Sequence, residues 1–136
     1  MMKNKLLRIS LLTIISLALL SMSRTHWNPQ DIWDVPPEYE NMKNPYSGIS
    51  DEELIGEELY GMYCQTCHGV KGEGDGVNAY LIETPVADFT LESFKKQSDG
   101  SLYYKIYTGR NEMPGFETII PVEEDLWMVV NYIRKL

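Results

Sequence analysis

The chain is poor in the residues from which most sites are built. Of its 136 residues two are cysteine and two are histidine, so a structural zinc site of about four ligands would consume them all, and a disulfide framework is excluded. Basic residues are scarce, 12 against 20 acidic ones for a formal charge of -8 and a pI near 4.7. A surface of that sign repels phosphates, which argues against nucleic acid as a partner. There is no internal repeat and no low-complexity run. Recognisable nucleophile motifs are missing as well, so no catalytic residue is nominated. What remains is enough for one domain plus a tail or targeting segment, with an ordinary hydrophobic content of 43%.

The apolar stretch from Ile9 to Leu20 is shorter than the roughly 20 residues of a spanning helix. It follows a basic start, Lys3, Lys5 and Arg8, and precedes Ser21-Met22-Ser23, a small-x-small end. Residues 1–23 therefore read as an export signal cleaved after Ser23, with an uncleaved membrane anchor as the alternative because Leu6 and Leu7 extend the run. Cleavage removes three positive charges and no negative one, taking the formal charge from -8 to -11. The expected location is periplasmic or otherwise extracytoplasmic, with membrane association through the N-terminus if the anchor is kept.

Both cysteines lie in Cys64-Gln65-Thr66-Cys67-His68, the Cys-x-x-Cys-His pattern of covalent c-type haem attachment. Two thiols three residues apart can each form a thioether to a haem vinyl group, and the adjacent histidine can reach the iron. On a helix, positions i, i+3 and i+4 share one face. A thioredoxin-type redox pair would want a preceding strand and a βαβ context, which the sequence does not offer. A zinc site would have to recruit His26 from a distant segment. Haem c, one per chain, held through Cys64 and Cys67 with His68 on the iron, is the expected cofactor, and it agrees with export.

Residues 24–49 contain Pro29, Pro36, Pro37 and Pro45, which discourage helix and favour extended geometry. Trp27, Trp33, Tyr39 and Tyr46 are too many large rings for a solvated tether. Either the segment straps its own domain or it docks a partner. Ser50 and Glu53 have capping-box spacing, and a helix is expected from there to Cys64 with Leu54, Ile55, Leu59, Met62 and Tyr63 as its apolar stripe. The glycine-rich run 69–76 reads as a loop. It lacks the Gly-Lys-Ser/Thr and preceding strand of a phosphate cradle. A short helix is expected within Leu91 to Lys96 and a clearer one from Ser98 or Asp99 to Gly109, with Leu102, Tyr103, Ile106 and Tyr107 inward. The last begins after Pro121. Glu123, Glu124 and Asp125 at its start and Arg134 and Lys135 at its end suit the helix dipole, and Leu126, Val129, Val130 and Ile133 form its buried stripe.

With these features residues 50–136 resemble a class I cytochrome c domain. Three stretches carry the likeness: the haem motif, Gly56-x-x-x-Tyr60-x-x-x-Cys64, and Gly109-Arg110-Asn111-Glu112-Met113-Pro114-Gly115-Phe116. The resemblance implies an all-α fold with helices around one covalently bound haem; the extended N-terminal tail of residues 24–49 lies outside it. The resemblance also implies that Gly56 lets the last helix cross closely, with Tyr132 packing nearby. The third stretch resembles the loop that carries the family's methionine ligand, here Met113. In the family a proline segment after the motif supplies the carbonyl that orients the ligating histidine, and Pro85 is the candidate.

Residue placement also favours Met113. Met62 shares a helix with Cys64, Met128 sits in the last helix, and Met42 lies in the tail, whereas Met113 stands in a loop that helical packing does not explain. A gap-filling loop methionine is the alternative. With His68 and Met113 both on the iron, substrate has no open position. One-electron transfer is then favoured over catalysis. Two functions follow: a carrier exchanging electrons with dehydrogenases, a quinol-oxidising complex or a terminal reductase or oxidase, or a haem subunit fixed in a larger oxidoreductase.

Overall fold

The structure, a computed structural model, describes residues 33–50 and 54–136. The export signal or anchor at 1–23, His26, Trp27 and the Glu53 partner of the expected capping box lie outside the described residues. Among those described the chain is helical, with no strand.

The last helix, here α6, explains the rest. It spans Glu123–Ile133, begins two residues after Pro121, and carries its three acids in the first turn. The expected stripe of Leu126, Val129, Val130 and Ile133 is buried, but so are Trp127 and Met128. A helix that is apolar on most sides needs neighbours on most sides. It has them: the helix that carries the haem motif on one side, α5 (Asp99–Thr108) on another, and the N-terminal strap on a third. Trp127 is fully enclosed, stacked on Tyr103 with ring centroids 4.3 Å apart.

α5 starts and stops as its ends dictate. Ser98 Oγ accepts from the Ser101 backbone N–H at 3.1 Å, satisfying one of the free donors of the first turn. Gly109 terminates it at φ +65, a conformation that costs glycine little. Arg134, the C-cap of α6, pairs with Asp99 at 2.8 Å and donates to the Lys95 and Gln97 carbonyls. This ties the end of α6 to the start of α5 and to α4 (Glu92–Lys95).

The segment before the domain straps it. It is not wholly extended: Pro37–Glu40 form one helical turn, α1, with proline at the first position, where the missing N–H costs nothing. Tyr39, Met42 and Tyr46 pack against the core. Asn44 donates to Asn131 at 2.8 Å and to Asp99 at 3.2 Å, while Asn131 donates to the Tyr46 carbonyl at 3.0 Å. The strap passes so close to α5 that a Cβ on Gly100 would strike the Tyr39 carbonyl and come within 2.8 Å of Met42 Cβ.

Gly100→Ala is therefore expected to destabilise the protein. Overpacking against backbone costs about 1–3 kcal/mol, more than the ~1 kcal/mol that alanine contributes to helix propensity. A thermal melt should fall by several degrees, at roughly 4–8 °C per kcal/mol for a domain near this size. An unchanged melting temperature would mean that the strap does not seat there.

The motif helix differs most from expectation. It begins at Ile55, not near Ser50, because Leu54 sits at φ +58 and breaks any helical run from the serine. Leu54 and Met62 are more than half exposed and Tyr63 lies on the surface edge, so they do not form a buried stripe. The inward face is Gly56, Tyr60 and Cys64, spaced by four. Tyr60 meets Tyr132 of α6 with ring centroids 5.2 Å apart, and Gly56, four residues before it, is buried on the same face. The helix runs as α2 (Ile55–Leu59), a π-helical turn (Tyr60–Cys64) and α3 (Gln65–His68). Such wide turns often occur at functional positions.

Candidate functional site

α3 ends in a set of carbonyls that need donors, and the glycine-rich loop supplies them. Asn78, Gly76 and Gly74 donate their backbone N–H groups to the carbonyls of Thr66, Cys67 and His68 at 2.8, 3.0 and 2.9 Å. Tyr60 Oη, buried, donates to the Gly69 carbonyl at 2.6 Å. The run 69–76, with Asn78 just beyond it, is thus the brace that holds the last turn of the motif in place. The Phe89 N–H donates to the Gly72 carbonyl at 2.7 Å, which brings the next segment of chain against His68.

That segment fixes the histidine. The His68 ring stacks on Phe89 at 4.5 Å, and Phe89 on Phe94 at 4.5 Å. His68 Nδ1 lies 3.3 Å from the Ala87 carbonyl. A carbonyl can only accept, so Nδ1 carries the proton and Nε2 keeps its lone pair. The acceptor is Ala87, two residues beyond the expected Pro85. Pro85 does line the same cleft, but the Phe89–Gly72 hydrogen bond sets the register that brings Ala87 to the ring. Burial pushes the His68 pKa down, against the raising effect of that hydrogen bond, which favours the neutral ring, the form that binds metals.

The four residues singled out from the sequence, Cys64, Cys67, His68 and Met113, line one cleft of about 1150 Å³, its open mouth included. Its walls are mostly apolar, with Phe89, Phe94, Leu102, Ile106, Phe116 and Ile133 among them. Both cysteines are free thiols. Burial, and then the neighbouring Cys67, push the Cys64 thiol up to about 12. Met113 is held by a tight reversal in which Arg110 and Met113 exchange backbone hydrogen bonds of 2.9 and 3.0 Å, with Asn111 at φ +53. Just beyond it the Phe116 N–H donates to the Ile106 carbonyl at 3.0 Å, which lays the loop along the end of α5. Met42 is seated over Gly100, Met62 is 65% exposed and Met128 is in the core, so of the four described methionines Met113 alone faces this cleft.

Three lining residues are brought together by the fold alone: Lys105 had no sequence signal, Trp33 stood only among the large rings of residues 24–49, and Arg110 only in the stretch around Met113. Lys105, Arg110 and Trp33 form a cationic corner, with the Arg110 Cζ 4.5 Å and the Lys105 Nζ 5.5 Å from the indole centroid. Lys105 also donates to Gln97 Oε1 at 2.5 Å. Burial, and then Arg110, hold its pKa down at about 8. Lys105 was hidden because it interrupts the apolar face of α5, and Trp33 because nothing in its surroundings ties it to residues so far along the chain.

Free thiols at i and i+3, a neutral histidine with one nitrogen already bonded, a thioether and an apolar enclosure form a donor set that fits a covalently held haem. Among the described residues no cluster of three or more His, Cys, Asp or Glu could hold a bare metal ion. No curated protein matches the chain. Residues 51–133 match the family described as cytochrome C oxidase, cbb3-type, subunit III. The chain belongs to that family and is a class I c-type cytochrome, an all-helical electron-transfer domain of the kind built around covalently bound haem c.

Proposed function

We propose that the protein is a one-electron carrier with a single low-spin haem c, bonded through Cys64 and Cys67 and ligated by His68 and Met113, working in a respiratory or dehydrogenase-linked chain outside the cytoplasmic membrane. The observation that carries this reading is the meeting of these four side chains in one apolar cleft. Bound there, the haem iron supplies a one-electron couple. The chain's own residues do the rest. Ala87 and Phe89 hold the His68 ring in one orientation, the aromatic and aliphatic walls exclude water, and the reversal at 110–113 presents a soft thioether that favours ferrous iron. If His68 and Met113 hold the iron as proposed, no position would be left for substrate, and electron transfer would be favoured over substrate chemistry.

A second reading, a haem subunit fixed within a larger oxidoreductase, is favoured by the description of the matching family. Export through residues 1–23 is part of both readings, as a cleaved signal or a retained anchor. Among the described residues no helix is long and apolar enough to cross a membrane.

The charge bears on the partner. Around the cleft and its neighbouring loop Lys71, Lys105 and Arg110 are outnumbered by Glu73, Asp75, Glu83 and Glu112, and the mature chain's formal charge is -11 if the signal is removed. Just beyond that loop Val77 and, in the 3-10 turn Ala79–Leu81, Tyr80 and Leu81 stand about 80% exposed. An apolar patch among carboxylates suits a redox protein with a neutral or basic docking face. Stopped-flow electron transfer to one basic and one acidic redox protein tests both the carrier and its polarity. The basic partner should react faster at low salt and slow as salt screens the attraction, over about 8 Å at physiological ionic strength. A faster acidic partner would reverse the polarity, and absence of one-electron exchange with either would remove the carrier reading.

A further inference from the structure

Residues 33–50 precede the stretch that matches the family, yet one of them reaches the cleft. The Trp33 indole lines it, lying over the Arg110 guanidinium at 4.5 Å and near the Lys105 ammonium at 5.5 Å. Contacts of this kind gain strength where water is excluded. The indole's position follows from the strap. Tyr39 rests on Tyr104 and Tyr103, with centroids 4.8 and 6.5 Å away. Gly100 leaves room for the strap's backbone, and Asn44 and Tyr46 are hydrogen bonded to Asn131. Between Trp33 and this anchored part lies Pro36, at φ -56 and ψ 141, followed by Pro37. Two prolines in a row leave the arm little freedom.

We infer that Trp33 is a positioning residue of the redox site: held by the strap, its indole completes the wall beside Lys105 and Arg110, keeps water from that corner, and so raises the reduction potential. The inference rests on the haem reading above. Two positive charges in a corner of low dielectric disfavour the oxidised, more positive iron, and admitting water weakens their effect. Trp33 is absent from the packed core, so its removal should leave folding intact.

The test compares Trp33→Ala and Trp33→Phe in the full chain by three readouts. In Trp33→Ala the midpoint potential should fall by a threefold to tenfold change in the one-electron equilibrium, tenfold being about 59 mV, with the melting temperature unchanged. Lys105 should be acetylated several-fold faster, as followed by mass spectrometry, a readout that does not need haem. Trp33→Phe, which keeps a ring over the cations, should stay near the wild type in all three. A wild-type potential together with wild-type Lys105 reactivity in Trp33→Ala overturns the inference. A potential that moves only in step with a lowered melting temperature, in both variants alike, also overturns it, because the strap's stability would then account for the change. If the wild-type protein holds no haem while Trp33→Ala still exposes Lys105, the wall stands and the redox reading beneath it falls.

Discussion

Replacing Cys64 and Cys67 together by alanine is expected to move all the haem into the solvent on acid-acetone extraction, whereas the haem-loaded wild-type protein should keep it. The two thiols are the only ones in the chain, so no other residue can form a thioether. The apolar cleft and His68 remain in the double variant and can still hold haem without a covalent bond, which is why the denaturing step is needed. Each single variant should keep haem through at most one thioether. His68→Ala should retain covalent haem and lose normal axial ligation, because its Nε2 is the nitrogen left for the iron once Nδ1 is committed to Ala87. Extraction of all haem from the wild type would refute covalent attachment outright.

Met113→Ala should lower the reduction potential, remove the weak far-red sulfur-to-iron band of the oxidised protein, and open the iron to carbon monoxide. Axial ligands span about 0.8 V of haem potential, and a fall on the order of 0.1–0.3 V is expected when a thioether that favours ferrous iron is withdrawn. Met113 also packs against the core, so the alanine variant creates a void. Met113→Leu separates the two effects: it restores most of the volume without the sulfur, and should recover stability but neither the band nor the potential. Survival of the band in both variants would hand the role to another methionine. Of the others described, Met62 and Met128 are committed to the surface and the core, and Met42 to its seat over Gly100. An absent band with wild-type potential and no carbon monoxide binding would point to a ligand other than sulfur.

The parts of the chain that were legible beforehand are those whose causes are local. The haem motif is five consecutive residues. The N-cap at Ser98, the stop at Gly109, the acids that open α6 and the loop residues around Met113 all act on backbone within a turn of themselves, so their effects can be read from neighbouring letters. Gly56, Tyr60 and Cys64 were legible only through the resemblance to class I cytochrome c domains, which their four-residue steps help to carry, because the apolar pattern alone pointed to another face. The apolar stripe was misread at Leu54, Met62 and Tyr63 for the complementary reason. Hydrophobicity says that a side chain gains by burial, not which neighbour arrives to bury it.

What the sequence by itself determined was the chemistry: two thiols and an imidazole at haem spacing, a thioether in a glycine-bounded loop, a helical domain and an acidic surface. The tertiary structure decided how that chemistry is held. The Gly72–Phe89 hydrogen bond set the register that gives His68 the Ala87 carbonyl instead of one at Pro85. The strap's seat on Gly100 and Asn131 brought Trp33 over Lys105 and Arg110. In both cases the partners are far apart along the chain, and their meeting depends on how the intervening segments close and pack, a constraint that no single stretch of residues contains.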